Sequence, residues 1–193
     1  LLLGGHIGRP GAGVCPVRGH SNVQGDRTVG IWEAPSDNFL ESMEKGLGFE
    51  LPKEHGYDVV ESIRAMERGD VEVFVCMGGN FLSATPDTRR TAKAMKNIDL
   101  TVQISTKLNR SHLITGKNAL ILPVLGRTEI DIQNSKKQFV TVENSMGVVH
   151  RSEGKLKPTS STLMSEPSIV AELGHRLVPN NLPWLDLSSN YDG

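Results

Sequence analysis

"VEVFVCMGGNFLSATPD", residues 71–87, decides how this chain folds. Val71-Glu72-Val73-Phe74-Val75-Cys76-Met77 is an apolar run interrupted only at Glu72, rich in β-branched residues and short enough for a buried strand. Gly78-Gly79-Asn80 follows it directly. Thr85-Pro86-Asp87 then reads as a helix start, with Thr85 as N-cap, Pro86 at the first helical position and Asp87 in the first turn. Ala92 and Met95 fall on the inward face of that helix. Leu100 to Ser105 and Ala119 to Leu122 are two further brief apolar runs, as expected of strands covered on both faces. Strand, glycine turn, helix, strand is a βαβ unit, which implies a parallel sheet with a right-handed crossover.

Working outward, residues 57–68 keep helical spacing at Val59, Val60, Ile63 and Met66, with Gly69 as the stop. Residues 36–46 predict a shorter helix, capped by Ser36 or Asp37, with Phe39, Leu40 and Met43 inward and Gly46 at its end. Before it, residues 9–30 hold five glycines, two prolines and three arginines with no periodicity. Leu1 to Gly5 reads as the last turn of a helix with a glycine stop. After Pro123, Phe139–Val142 and Val148–Val149 predict a hairpin around a loop at 143–147. A helix follows at 166–177, capped by Ser165, with Ile169, Val170, Leu173 and Leu177 as its stripe. The expected fold is α/β: a mostly parallel three-layer sheet with Rossmann-like βαβ units, a small β-hairpin and a C-terminal helix. The expected division is a glycine-rich loop at 1–35, an α/β domain at 36–178 and a tail at 179–193 leading to a further domain. By this reading the chain is a central piece of a longer protein.

Composition narrows the function classes. The chain has 193 residues, 37% apolar and 22% charged, with a net charge of -1. Such a balance provides no global field for nucleic acid or an anionic membrane. No apolar run is long enough to span a bilayer. Two cysteines, Cys15 and Cys76, are too few for a disulfide framework or a four-cysteine metal site, and point to a reduced, cytoplasmic setting.

Three segments could carry chemistry. Gly78-Gly79-Asn80 stands at the carboxyl end of a strand, where open α/β sheets bind ligands. Its glycines would let a phosphate approach backbone N–H groups; the competing reading is a plain tight turn. Ser105, Thr106, Lys107, Asn109 and Arg110 stand at the end of the second strand. There, Lys107 and Arg110 could meet an anion; otherwise Asn109 merely caps Arg110-Ser111-His112. In the opening loop Arg18, Gly19, His20, Asn22 and Gln24 alternate polar groups along a permissive backbone, which suits a large polar ligand, or else a loop bonded to itself. Cys15 and Cys76 read as packing residues. Glu129 and Asp131 alternate in a strand-like stretch with no partner visible in the sequence; Glu143 and His150 could form an acid/base pair only if the hairpin faces a pocket, and otherwise read as a solvated pair.

"GRPGAGVCPVRGHSNVQGDRTVG" (8–30), "MGGNFLSATPD" (77–87) and "VQISTKLNRSHLITGKNALILPVLGRTE" (102–129) resemble, in content and order, three segments of one family. These are the molybdopterin-dependent oxidoreductases of the formate dehydrogenase and dimethyl sulfoxide reductase superfamily. The branch most similar is the formate dehydrogenase alpha-subunit-like one. The likeness runs from about residue 1 to 175.

The resemblance implies a molybdenum or tungsten ion held by the dithiolenes of two molybdopterin guanine dinucleotides, and two-electron chemistry on a small-molecule substrate. It places Arg18 and His20 beside the metal pocket as catalytic residues. Gly78, Gly79 and Asn80 would contact one guanine dinucleotide. It also implies a metal-ligating residue and a [4Fe–4S] cluster outside this segment, and an electron-transfer subunit as partner. The chain by itself would then carry no metal and no turnover. Departures are specific: His20 stands where glutamine is usual, Ile104 where aspartate is usual, and Leu108-Asn109-Arg110 where the family reads Thr-Glu-Thr. The competing function is a non-redox α/β module that holds a nucleotide or phosphate at Gly78.

Overall fold

A computed structural model describes residues 1–15, 17, 26–27, 30–144, 146–178 and 183–191. Its centre is a parallel sheet of three strands, β1 (Val73–Met77), β2 (Leu100–Ser105) and β3 (Asn118–Pro123), in the order β1-β2-β3. Val75, Val102 and Leu120 lie side by side across it. This is the parallel α/β arrangement that residues 71–123 predict.

Before the sheet come α1 (Asp37–Leu47) and α2 (Val59–Arg68). Between β1 and β2 lie α3 (Phe81–Ala84) and α4 (Thr88–Met95). Ile63 and Met66 of α2, Leu82 of α3, Ala94 and Met95 of α4, and Ile98 form the buried core. Phe74 of β1 packs against it, with its ring 5.0 Å from that of Phe81. Alternation sends Val73 and Val75 to the opposite face, where each is 54% exposed. So β1, read as a buried strand, is covered on one face only, and β3, expected to be covered on both faces, is exposed along most of its length, Leu120 and Ile121 included. A continuous run cannot say which face the helices α2 and α4 will take.

Several helix ends differ from the expectation. α4 is capped by Asp87, whose Oδ1 accepts the Arg90 N–H at 3.0 Å. Thr85 instead bonds Thr91 through their hydroxyls at 2.8 Å, inside the protein. Pro86 therefore precedes the helix. α1 runs through Gly46 and stops at Gly48, whose φ of +75° suits a left-handed cap. α2 starts behind Asp58 and ends at Gly69 as expected, but Val59 and Val60 are half-exposed while Ile63, Ala65 and Met66 are buried. The first residues do close as a helix end does: Gly5 N–H bonds Leu2 O and His6 N–H bonds Leu1 O.

Beyond β3 the strand pairs are small. β4 (Ile132–Gln133) pairs β5 (Lys136–Lys137), and β6 (Val140–Glu143) pairs β7 (Val149–Ser152). The second is the hairpin read from sequence, with Asn144 Oδ1 accepting the N–H groups of Met146 and Val148 in its loop. α5 (Glu166–Leu177) has the expected bounds, but its buried residues are Ser168 and Ala171; Val170, Leu173 and Leu177 are exposed. Residues 184–189, read as tail, form α6 (Trp184–Ser189), which packs on α5 and receives the Ser168 hydroxyl at Ser188 O.

Arg90 of α4 grips Glu67 of α2 with both nitrogens at 2.6 Å. This hydrogen-bonded contact holds the Glu67 carboxyl below its ordinary value of 4.5. The sign follows from linkage: the pair's contribution is full above about pH 4.5 and is lost as pH falls through the lower folded value. Both groups are exposed, so the effect is small. Thermal midpoints of wild type and Arg90→Met should converge on acidification through that window. A constant difference down to pH 2 counts against this.

Candidate functional site

The carboxyl ends of β1 and β2 bring two of the sequence-predicted segments together. Gly78 and Gly79 both have φ of +66°, a conformation only glycine adopts freely, and no protein atom would meet a side chain at Gly79. Gly78 N–H is committed to Ile104 O at 2.8 Å, which pins the turn to β2. Asn80 then caps α3 by accepting the Ser83 N–H.

The segment after β2 locks onto this turn. Asn109 Nδ2 donates to Gly79 O at 2.8 Å, and its Oδ1 accepts the Ser111 N–H. Ser111 Oγ donates to Asn80 Oδ1 at 2.9 Å and accepts the Leu82 N–H at 3.0 Å. Gln103 of β2 holds the Ser111 carbonyl at 2.6 Å. His112 Nδ1 accepts the Asn109 N–H, closing a capping box over the 3₁₀ turn Arg110–Leu113. Asn80 and Asn109 thus spend their side chains on shaping the turn. The capping reading of Asn109 holds; Ser111 and His112, read only as members of the stretch behind β2, and Gln103, which sequence reasoning missed, build the site. Side-chain hydroxyls carry no periodic signal, so only the fold could show Ser111 as a hub.

Ser105 Oγ donates to Lys107 O, bending the chain as β2 ends. Thr106, Lys107 and Arg110 are exposed, and among the described residues neither cation has an ion-pair partner. A glycine turn flanked by two unpaired cations at one sheet end can receive a phosphate-bearing anion. Glu166, the first residue of α5, lies beside the turn: its Oε1 is 3.7 Å from where a Gly78 side chain would begin. Arg18, Gly19, His20, Asn22 and Gln24 lie outside the described residues. The described residues bring no group of three His, Cys, Asp or Glu side chains together as a metal site. No helix among them is long and apolar enough to cross a membrane.

A cavity of about 670 Å³ opens next to this end of the sheet. Met77 of β1, Leu125 just after β3, the β6–β7 hairpin, the start of α5, and Trp184 and Leu187 of α6 enclose it. Glu129 and Asp131, which showed no partner in the sequence, are engaged here. Glu129 accepts the N–H groups of Gly126 and Thr159, and Asp131 accepts from the Tyr191 hydroxyl and the Gln133 amide. His150 Nε2 lies 2.7 Å from Asn144 Nδ2.

Cys76 donates its thiol to Gly78 O at 3.3 Å. Burial pushes that thiol above its ordinary value, partly offset by the Phe81 backbone N–H, so it is a poor nucleophile. Cys15 is exposed. Iodoacetamide at pH 7.5 should therefore label Cys15 at least about tenfold faster than Cys76; peptide mass spectrometry over time reads this, and equal rates would contradict it.

No family model matches this chain. An uncharacterized oxidoreductase of Mycobacterium tuberculosis (strain H37Rv) is 55% identical to it over 194 residues, which is all of this chain and 25% of that protein. Protein YdeP of Escherichia coli K12 is 48% identical over 193 residues, again the whole chain and 25% of YdeP. This chain is an end-to-end homologue of that quarter. It therefore spans about a quarter of the length of the curated relatives it matches. A Bacillus subtilis protein provisionally named a formate dehydrogenase, YrhE, is 27% identical over 119 residues, 58% of this chain and 12% of YrhE.

Proposed function

We propose that this chain is a cofactor-binding α/β segment of a larger oxidoreductase, one that uses molybdenum or tungsten on molybdopterin guanine dinucleotide to oxidise or reduce a small substrate by two electrons. The observation that carries the reading is end-to-end homology, at 55% identity, to a protein named an oxidoreductase. The partial likeness to YrhE supports the formate dehydrogenase side of it.

The residues present fit the dinucleotide. Gly79 leaves its backbone open to a pyrophosphate, while Gly78, its N–H bonded to Ile104 O, shapes the turn. Lys107 and Arg110 would neutralise it, Lys107 as a point charge and Arg110 as a planar fork. Thr106 would add a hydroxyl donor, while the Ser105 hydroxyl is already given to Lys107 O and holds the bend. Glu166, beside Gly78, offers a guanine the carboxylate that Ile104 cannot. Asn80 and Asn109 act as positioning residues, since both hold the turn. Arg18 would steady an anionic substrate, and His20 would hold or pass a proton near neutral pH. Such a cofactor supplies the electron-pair chemistry at its metal when bound; the protein supplies orientation and electrostatics.

The test is metal and pterin analysis of the intact polypeptide, purified from cells that make molybdenum cofactor. Molybdenum or tungsten together with released pterin is the expected result. A plain nucleotide without metal would favour the non-redox binding module instead, and a polypeptide empty of all three would end the proposal.

A further inference from the structure

The parallel sheet has one face that the described residues leave largely open. Its strand order β1-β2-β3 advances in one direction, so right-handed crossovers put both connections on the same side. The contacts agree with this. Phe74 of β1 packs on the core formed by α2, α3 and α4, and Gln103 of β2 holds Ser111 of the 3₁₀ turn. Alternation and register send Val73, Leu100 and Asn118 to the other face, and with them Val75, Val102 and Leu120. Asn118 is the one polar side chain among these six, and none of the six can carry a charge. Val73 and Val75 are each 54% exposed and Leu120 46%.

Only the carboxyl end of this face is closed. There Ile104 is 1% exposed, between Met77 and Leu122. Leu122 and Pro123 carry the face on into a groove of about 550 Å³, whose far wall includes Ile169 and Leu173 of α5. The charged residues of the groove, Glu172 and Arg176, pair with each other at 3.4 Å. Face and groove therefore offer an occupant apolar contact rather than charge.

Parallel sheets are stable with helices on both faces, and this one has helices on one. The relatives that match the whole chain are about four times as long as the matched segment, so chain of the same polypeptide is at hand to supply the second layer. A second copy would bring no unpaired helix layer of this kind; it would bring another open sheet face. We propose that an amphipathic helix of the same polypeptide, from outside these 193 residues, lies across Val73, Val75, Val102 and Leu120 with its apolar stripe against them and one end in the Leu122 groove. The inference rests on the chain's being part of a longer polypeptide, as in the function proposed above, and not on the cofactor.

The test uses the intact polypeptide with a diazirine amino acid in place of Val75. Irradiation, proteolysis and mass spectrometry should join position 75 to a peptide outside the 193 residues whose apolar residues recur at helical spacing. In a mixture of isotope-labelled and unlabelled protein, each crosslink should stay within one isotope. Should the variant fail to fold, hydroxyl-radical oxidation of the wild type decides. Val73, Val75 and Leu120 should be oxidised at least about fivefold more slowly than in the urea-unfolded polypeptide, whereas a face left half open would slow them only about twofold. Isotope-mixed crosslinks, a crosslinked peptide with strand alternation, crosslinks confined to the 193 residues, or oxidation merely halved would each overturn the proposal. A polypeptide that holds metal and pterin yet gives one of those results loses the helix and keeps the cofactor; one that gives the expected crosslink but holds neither loses the cofactor and keeps the helix.

Discussion

Gly116→Ala should cost this chain about 3 kcal/mol or more, enough to remove a large part of a domain's margin. A methyl group there would press on the carbonyl oxygen of Ile98 closer than real Cβ atoms come, with the Ile98 carbonyl carbon at 3.0 Å. That carbonyl cannot swing aside. It accepts the Lys117 N–H at 2.8 Å, and Ile98 is fully buried in the core. Gly116 N–H is itself bonded to Thr101 Oγ1 at 3.2 Å, where β2 begins. The approach to β3 therefore passes against the approach to β2 with no room between them. Moving either would shift the register of the sheet. Urea unfolding followed by circular dichroism should show the midpoint falling sharply, and a loss under about 1 kcal/mol would mean that the two segments are free to separate.

Ser111→Ala should cost about 2 kcal/mol, by a different route. The substitution removes one oxygen that serves two partners. Leu82 N–H loses its acceptor inside the protein, and Asn80 Oδ1 loses one of its two donors, keeping the Ser83 N–H. The Ser111 carbonyl stays held by Gln103, so the backbone keeps its path. The damage should therefore concentrate at the Gly78–Asn80 turn. Hydrogen exchange at the Leu82 amide should accelerate more than at core amides of β2, and the turn should become a poorer receptor for any phosphate. Uniform acceleration across the sheet would instead mark Ser111 as an ordinary core residue.

The two substitutions divide what the sequence made legible from what it did not. The sheet was readable because β-branched runs of strand length stand between glycine stops and a helical stripe: Val73–Met77, Leu100–Ser105 and Asn118–Pro123 all form strands. The hairpin at 140–152 and the helix at 166–177 were readable for the same reason. Helix starts were less so. Thr85, Asp87 and Asn80 are all competent caps, and which one caps what depends on where Thr91 and Ser111 arrive from elsewhere in the chain.

The meeting of Gly78–Asn80 with Ser105–Arg110 followed from topology, since parallel neighbouring strands put their carboxyl ends together. The roles within that meeting did not follow. Asn80 and Asn109 are residue types that bind ligands or shape turns with equal chemistry, and only the bonds to Ser83, Ser111 and Gly79 show the second use. Lys107 and Arg110 stay exposed, as a cation awaiting an anion and a solvated loop residue both would.

Local pattern alone thus determined the kind of element at most positions and the parallel class of the sheet. These follow from steric preference and side-chain period, which act within a few residues. Tertiary structure decided which face of β1 is covered and which side chains are spent on the turn. Those outcomes depend on groups brought together from distant parts of the chain, Asn109 and Gly79 being 30 positions apart, a distance over which no local preference reaches.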